Sequence, residues 1–298
     1  MSSLPPVFFY DNRDKIDSNF MRILNSLKIK NDIYVISNSD FNINPNIELR
    51  IQKICLKQLN GYEEIKNHFL QNYTHLSQNS ENFEAACFLR YFAYNILLDQ
   101  LKIEKAFLFD TDVWPTKSLS FFNAHEKSLL SPGRDSNNMI SSHSSLFQSK
   151  DLVSFTNFLL NEFYQNYLEY LKLFYQQLIE DKRQGGVSDM LALNIFFRHI
   201  GHAPWSDANY FSVDNYFINH TFSTLPAELN IKKNSWFLII LKKNYFLVVT
   251  RKHRRRYATL HFQGHDKHLI PCLKFSRFLI GNYKIFALMI RFSRKFLS

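Results

Sequence analysis

The sequence of 298 residues is rich in aromatic side chains and poor in glycine, with 30 Phe and 15 Tyr against 7 Gly. This composition excludes a flexible, low-complexity protein, because such chains carry few of the large apolar residues that build a core. The length suffices for one large domain with an appendage. The formal net charge of +10 excludes an acidic protein that would repel anionic ligands over its whole surface.

The positive charge is concentrated near the C-terminus. Residues 274–298 contain six Lys and Arg side chains and no acid, and residues 251–256 add five more. The rest of the chain is therefore close to neutral. The pattern indicates a local basic segment with its own partner.

The three cysteines, Cys55, Cys87 and Cys272, are far apart and have no metal-ligand spacing. Reduced thiols in a reducing compartment are therefore expected. The first residues lack the pattern of a signal peptide, and no apolar run reaches the roughly 18 residues of a spanning helix. We expect a cytoplasmic protein.

Apolar runs and amphipathic segments alternate through the first part of the chain. Short apolar runs favour buried strands, and the segments between them have apolar residues at helical spacing. This alternation predicts an α/β domain with a largely parallel sheet. The predicted strands span residues 7–10, 33–36 and 51–56, and the predicted helices cover residues 16–27, 61–73 and 82–101.

The apolar run at residues 106–109 predicts the central strand, buried on both faces. Asp110 and Asp112 follow at its carboxyl end, where open α/β sheets bind their ligands. Residues two apart in an extended segment point to the same side, so both carboxylates can face one divalent cation. Mg²⁺ and Mn²⁺ bind carboxylate oxygens and bridge them to phosphate. The hypothesis is a metal site that holds a diphosphate.

Two other interpretations of this Asp-x-Asp motif stay open. It can be a solvated loop, or the nucleophile motif of a phosphatase of the haloacid dehalogenase type. That family has Thr or Val where Trp114 stands here, and its motif usually lies near the start of the chain, whereas 109 residues precede Asp110.

The second half of the chain predicts further helices and strands around a Gly185-Gly186 turn. Residues 210–222 look irregular, and the strand at residues 257–262 is expected to be the last. A boundary near Pro271 would divide the chain into a catalytic domain, 1–270, and a basic amphipathic tail, 271–298. The predicted helices span residues 151–180 and 187–198, and the predicted strands span residues 236–241, 246–250 and 257–262.

Five polar motifs are spread along the chain. In chain order they are Asp11-Asn12, Arg90, Asp110-Thr111-Asp112, Asp189 with Leu193-Asn194, and His261-x-x-Gly264-x-x-Lys267. This order resembles the glycosyltransferases of the GT-A fold, above all the retaining family 8 that includes glycogenin and bacterial lipooligosaccharide galactosyltransferases. The resemblance implies a Rossmann-like domain with a single mixed, mostly parallel sheet flanked by helices.

The resemblance also implies roles for individual residues. The expected ligands of Mn²⁺ or Mg²⁺ are Asp110, Asp112 and His261. The expected contacts to the nucleotide of a UDP-sugar are Tyr10, Asp11, Asn12, Asp110, Thr111, Gly264 and Lys267. The expected catalytic residues at the donor sugar are Asp189, Arg90, Asn194 and His143.

Structural roles remain open for three of these residues. Arg90 can form an ion pair with Glu84 or another acid on the helix surface, and Asp189 can be a helix N-cap. His261, taken alone, can be a hydrogen-bonded core histidine.

The implied function is transfer of a hexose from a UDP-sugar to a glycan acceptor, in surface polysaccharide, capsule or lipooligosaccharide synthesis. The rival is an inactive protein of the same fold that binds membrane or nucleic acid.

The mixture of cationic and apolar residues in the tail suits an amphipathic helix in an anionic membrane interface. This would place the protein at the cytoplasmic face of the membrane, next to a glycolipid acceptor. A helix docked on the domain is the alternative, and nucleic acid is not expected as a partner.

Overall fold

The computed structural model describes residues 4–27, 29–42, 50–116, 119, 122, 126–132, 140–199, 212–213, 216–218, 236–241, 246–249, 254–261 and 278–282. A six-stranded sheet and a seven-stranded sheet organise these residues. The first sheet is mixed and mostly parallel and carries helices, which confirms the predicted α/β class. The second sheet was not anticipated.

The first sheet has the order β3-β2-β1-β4-β7-β6. Its first four strands are parallel, β7 is antiparallel to β4, and β6 pairs with β7. The apolar runs at residues 7–10 and 106–109 are buried because β1 and β4 lie in the middle of the sheet. These strands are β1 Val7–Asp11, β2 Ile33–Ser37, β3 Ile51–Cys55, β4 Lys105–Phe109, β6 Leu129–Pro132 and β7 Ile140–Gln148.

The helices begin and end close to the predicted positions. Asp17 caps the first helix by accepting hydrogen bonds from the backbone N–H groups of Asn19 and Phe20. The long predicted helix at residues 151–180 is divided by a π-helical segment at Leu159–Phe163. The helices are α1 Ser18–Ser26, α2 Tyr62–Asn72, α3 Glu81–Gln100, α4 Ser149–Phe158, α5 Tyr164–Glu180 and α6 Asp189–His199.

The helix α3 is buried along most of its length. Most of its residues, Arg90 among them, are buried on several sides, and aromatic rings from α2, α4 and α6 complete the same core. The charged side chain of Arg90 is therefore held within an apolar surrounding, where it requires acidic partners. Within the described part of the chain, no helix combines the length and the apolar character needed to cross a bilayer.

The second sheet is built from the C-terminal part of the chain. Its strands are β8 Ser212–Val213, β9 Tyr216–Ile218, β10 Trp236–Leu241, β11 Phe246–Val249, β12 Arg254–His261 and β13 Phe278–Asn282, and β5 Val113–Pro115 pairs with β12. Residues 210–222 are thus not wholly irregular, and β12 is not the last strand. The helix expected in the tail is wrong for residues 278–282, because β13 pairs with β10.

Candidate metal and nucleotide site

A cavity of about 340 Å³ lies at the carboxyl ends of β1 and β4. Asp11 ends β1 and Asp110 directly follows β4, so the carboxyl ends of these neighbouring parallel strands bring separate motifs to one edge of the sheet. The lining residues are Tyr10, Asp11, Asn12, Arg13, Phe83, Ala86, Cys87, Arg90, Asp110, Thr111, Asp112, His143 and His261.

The pairing of β5 with β12 brings His261 to this cavity. Val113 lies opposite His261 in the antiparallel register, directly after Asp112 in the chain. The Nε2 atom of His261 lies 3.1 Å from Oδ1 of Asp112, and the imidazole side chain is only 1% exposed. His261 therefore brings the end of β12 to the carboxylates that follow β4.

The antiparallel pairing of β4 with β7 places His143 in the same cavity. Asp110 donates its backbone N–H to the carbonyl of His143, and Nδ1 of His143 lies 2.7 Å from Oδ2 of Asp110. The rings of His143 and His261 have centroids 4.2 Å apart. One ligand atom each from Asp110, His143 and His261 lies within 4.8 Å of the others.

Arg90 links the central strand to α6. Its guanidinium donates to Oδ1 of Asp110 and to Oδ2 of Asp189, and the hydroxyl of Tyr91 also donates to Asp189 at 3.2 Å. Burial raises the pKa of Asp110, but Arg90 and His143 outweigh it, so that the pKa lies below its ordinary value. Asp110 is therefore held as a carboxylate.

The surface ion pair between Arg90 and Glu84 that sequence left open is not formed. Glu84 instead accepts hydrogen bonds from Ser77 and Asn79. Asp189 is also not the N-cap of α6. The backbone carbonyl of Ser188 accepts the first hydrogen bonds of that helix, from the N–H groups of Leu191 and Ala192, and the carboxylate of Asp189 contacts Arg90.

A second ion pair lies at the end of β1. Arg13 donates from Nε and Nη2 to the two oxygens of Asp11, at 2.7 Å each, and from Nη2 to Oγ1 of Thr111 at 3.4 Å. The side chain of Asp11 is 1% exposed and that of Arg13 is 41% exposed. The carboxylate is thus covered by the guanidinium.

The donor atoms present fit a divalent cation of the Mn²⁺ or Mg²⁺ type. Carboxylate oxygens of Asp110 and Asp112 are hard ligands, and the imidazole nitrogens of His143 and His261 are acceptable to Mn²⁺. Cys87 also lines the cavity, but burial raises the pKa of its thiol. The neutral thiol is therefore favoured, whereas a metal ligand would have to be the thiolate.

The structure brings together most of the residues predicted from sequence, but not all. Two predicted residues are absent from the described lining of the cavity. Asp189 lies behind Arg90, and Asn194 is buried on α6. Gly264 and Lys267 lie outside the described residues. Sequence reasoning missed Arg13 and Phe83, of which Phe83 is 57% exposed in the lining.

Among solved structures, the chain is similar to the apo form of mouse xyloside xylosyltransferase 1, with 11% identity, a TM-score of 0.37 and coverage of 66% of this chain and 83% of that one. It is also similar to the glycosyltransferase GlyE of Streptococcus pneumoniae TIGR4, with 15% identity, a TM-score of 0.34 and coverage of 66% and 44%. The chain thus spans less than half the length of the GlyE chain. No protein-family model and no curated protein matches the sequence.

Proposed function

We propose that this protein is a metal-dependent glycosyltransferase that moves a hexose from a UDP-sugar to a hydroxyl group of a glycan. The observation that carries the proposal is the convergence of Asp110, Asp112, His143 and His261 on one cavity at the carboxyl end of the central strand. The chain order of these motifs, which resembles retaining glycosyltransferases of family 8, supports the same conclusion.

The charge of the cavity supports a requirement for a cation. Its described lining holds three carboxylates, of Asp11, Asp110 and Asp112, and two guanidinium groups, of Arg13 and Arg90. With neutral imidazoles this balance is negative, so a diphosphate would be repelled from the carboxylates. A divalent cation reverses the balance and lets the carboxylates hold an anion through the ion.

The proposed ligands of this ion are Asp110, Asp112 and His261, with His143 as a further donor beside Asp110. When bound, Mn²⁺ or Mg²⁺ would act as a Lewis acid towards the diphosphate leaving group. Arg90 fixes the orientation of Asp110, and Asp189 fixes Arg90, so Asp189 acts through Arg90 in this proposal. Tyr10, Asn12 and Thr111 face the nucleotide, and Asn194 supports α6.

Under a retaining mechanism the acceptor hydroxyl attacks the anomeric carbon on the face that the diphosphate leaves. The bond from the anomeric carbon to the phosphate oxygen breaks, and a phosphate oxygen takes the proton of the hydroxyl. Since the leaving group itself accepts the proton, no side chain has to act as general base.

The proposed acceptor is a glycan or glycolipid of surface polysaccharide or lipooligosaccharide synthesis, reached at the cytoplasmic face of the membrane. The support is the basic composition of residues 251–256 and 274–298. Flotation with anionic and neutral liposomes tests this part, and equal binding to both would count against it.

Release of UDP from a panel of UDP-hexoses, with and without Mn²⁺, tests the proposal. We expect Mn²⁺-dependent release from at least one donor, accelerated by added glycan. Absence of both UDP binding and UDP release across the panel would refute the proposed function.

A further inference from the structure

The two side chains of the ion pair between Arg13 and Asp11 differ in solvent exposure, and this difference bears on ligand recognition. Two N–H groups of Arg13 hold both oxygens of Asp11 at 2.7 Å, and the backbone N–H of Arg13 donates to Oδ1 at 3.1 Å. The carboxylate therefore has both oxygens engaged and almost no exposed surface. Of the pair, only Arg13 presents substantial surface to a ligand in the cavity.

The guanidinium retains hydrogen-bonding capacity on its outer edge. A guanidinium has five N–H donors, and Asp11 takes two of them. Thr111 accepts at 3.4 Å, and Nη1 lies 3.8 Å from Oδ2 of Asp17, which is beyond hydrogen-bond length. A ligand anion can therefore bond to the outer edge while Asp11 keeps the inner one.

We propose that Arg13 contacts a phosphate of the donor nucleotide and that Asp11 is the residue that positions Arg13. This inference rests on the proposed function. A phosphate is favoured over an uncharged base because a planar fork of N–H donors matches two phosphate oxygens and is strengthened by their charge. The position also fits, because Arg13 bridges the ends of β1 and β4, where Asp110 and Asp112 follow.

The proposal changes the role that sequence suggested for Asp11. Asp11 was expected to recognise the base directly, but its contacts make it the support of a cationic side chain. Direct recognition of the base then falls to exposed neighbours such as Asn12.

The test compares binding of UDP and of uridine to the full chain in the presence of Mn²⁺. The decisive variant is the double substitution Asp11→Asn/Arg13→Gln, which removes one negative and one positive charge and leaves the cavity charge unchanged. Asn and Gln can still hydrogen-bond to each other, which protects the end of β1. The single variant Arg13→Lys keeps the charge but loses the fork, and Arg22→Gln is the control on α1, outside the cavity lining.

We expect the double variant to bind UDP about tenfold more weakly or worse, the cost of one hydrogen bond between charged groups, and to lose selectivity for UDP over uridine. We expect Arg13→Lys to fall between the double variant and the wild type, and Arg22→Gln to bind UDP normally. Wild-type UDP affinity in the double variant, or an equal loss for UDP and uridine, would overturn the inference while leaving the proposed function intact. Failure of the wild-type protein both to bind UDP and to release it from the donor panel would instead refute the proposed function.

Discussion

Nε2 of His261, at the end of β12, lies 3.1 Å from Oδ1 of Asp112, in the turn between β4 of the first sheet and β5 of the second. The contact exists because the short strand β5, which directly follows Asp112, pairs with the end of β12. The site is thus assembled only when the second sheet has joined the first.

The substitution Asp112→Asn should reduce Mn²⁺-dependent UDP release by about 100-fold or more, because loss of a charged ligand costs at least as much as loss of a residue that supports a ligand. Steady-state UDP release over a range of Mn²⁺ concentrations measures the effect. The matched control is Asp99→Asn, at an exposed carboxylate that pairs with Lys102. Equal rates in the two variants would argue against a metal site at Asp112.

The substitution Arg90→Met should lower the free energy of unfolding by about 3–5 kcal/mol, because it leaves the carboxylates of Asp110 and Asp189 without their shared cation in a buried site. Urea denaturation measures the change, with Arg22→Met on the surface of α1 as the control. If Arg90→Met and the control were equally stable, the ion pairs of Arg90 would not hold α6 against the central strand.

Glu84 should make the stability depend on pH. Burial raises the pKa of Glu84 above its ordinary value of 4.5, despite hydrogen bonds from Asn79 and Ser77 that lower it. Since the folded pKa exceeds the unfolded pKa, the stabilisation is complete below the unfolded pKa and is lost as the pH rises through the folded pKa.

The substitution Glu84→Gln should therefore reduce the loss of stability with rising pH. Free energies of unfolding measured by urea denaturation on both sides of pH 4.5 test this, with the exposed Glu81 at the start of the same helix changed to Gln as control. A wild-type pH profile in Glu84→Gln would contradict the assignment.

The substitution Gly186→Ala should destabilise the protein by about 1–3 kcal/mol, because the added Cβ would overlap the backbone of Ser77 and Leu76. The turn leads directly into α6, so UDP release should also fall as Asp189 shifts from Arg90. Gly61→Ala is the comparison, since Gly61 has a φ of 79° but open space around it, and it should cost about 1–2 kcal/mol without loss of UDP release. Equal effects of both variants on UDP release would show that this turn does not position Asp189.

The parallel half of the first sheet and its helices were predictable from sequence because each element carries its own periodicity. β7 was not predicted as a strand because serines and a histidine fill its middle, and its apolar residues stand only near its two ends, at Ile140 and at Leu146 and Phe147. Its position beside β4 is nevertheless what places His143 on Asp110.

The candidate site was predictable where its residues follow strands in chain order, as Asp110 and Asp112 do. The partners within the site were not. Arg13 stands in an ordinary loop pattern, and nothing local indicates that it covers Asp11. The contacts of Arg90 with Asp110 and Asp189 depend on how α3 and α6 pack, which helical spacing alone does not specify.

The most direct test of the account is pulsed electron paramagnetic resonance of Mn²⁺ bound to the protein together with UDP. We expect one bound ion per chain, with magnetic coupling to imidazole nitrogen that is reduced in His261→Gln and with coupling to the phosphorus of UDP. Bound Mn²⁺ that shows coupling to UDP phosphorus but none to imidazole nitrogen in the wild-type protein would contradict the meeting of His261 with Asp110 and Asp112 around a single ion.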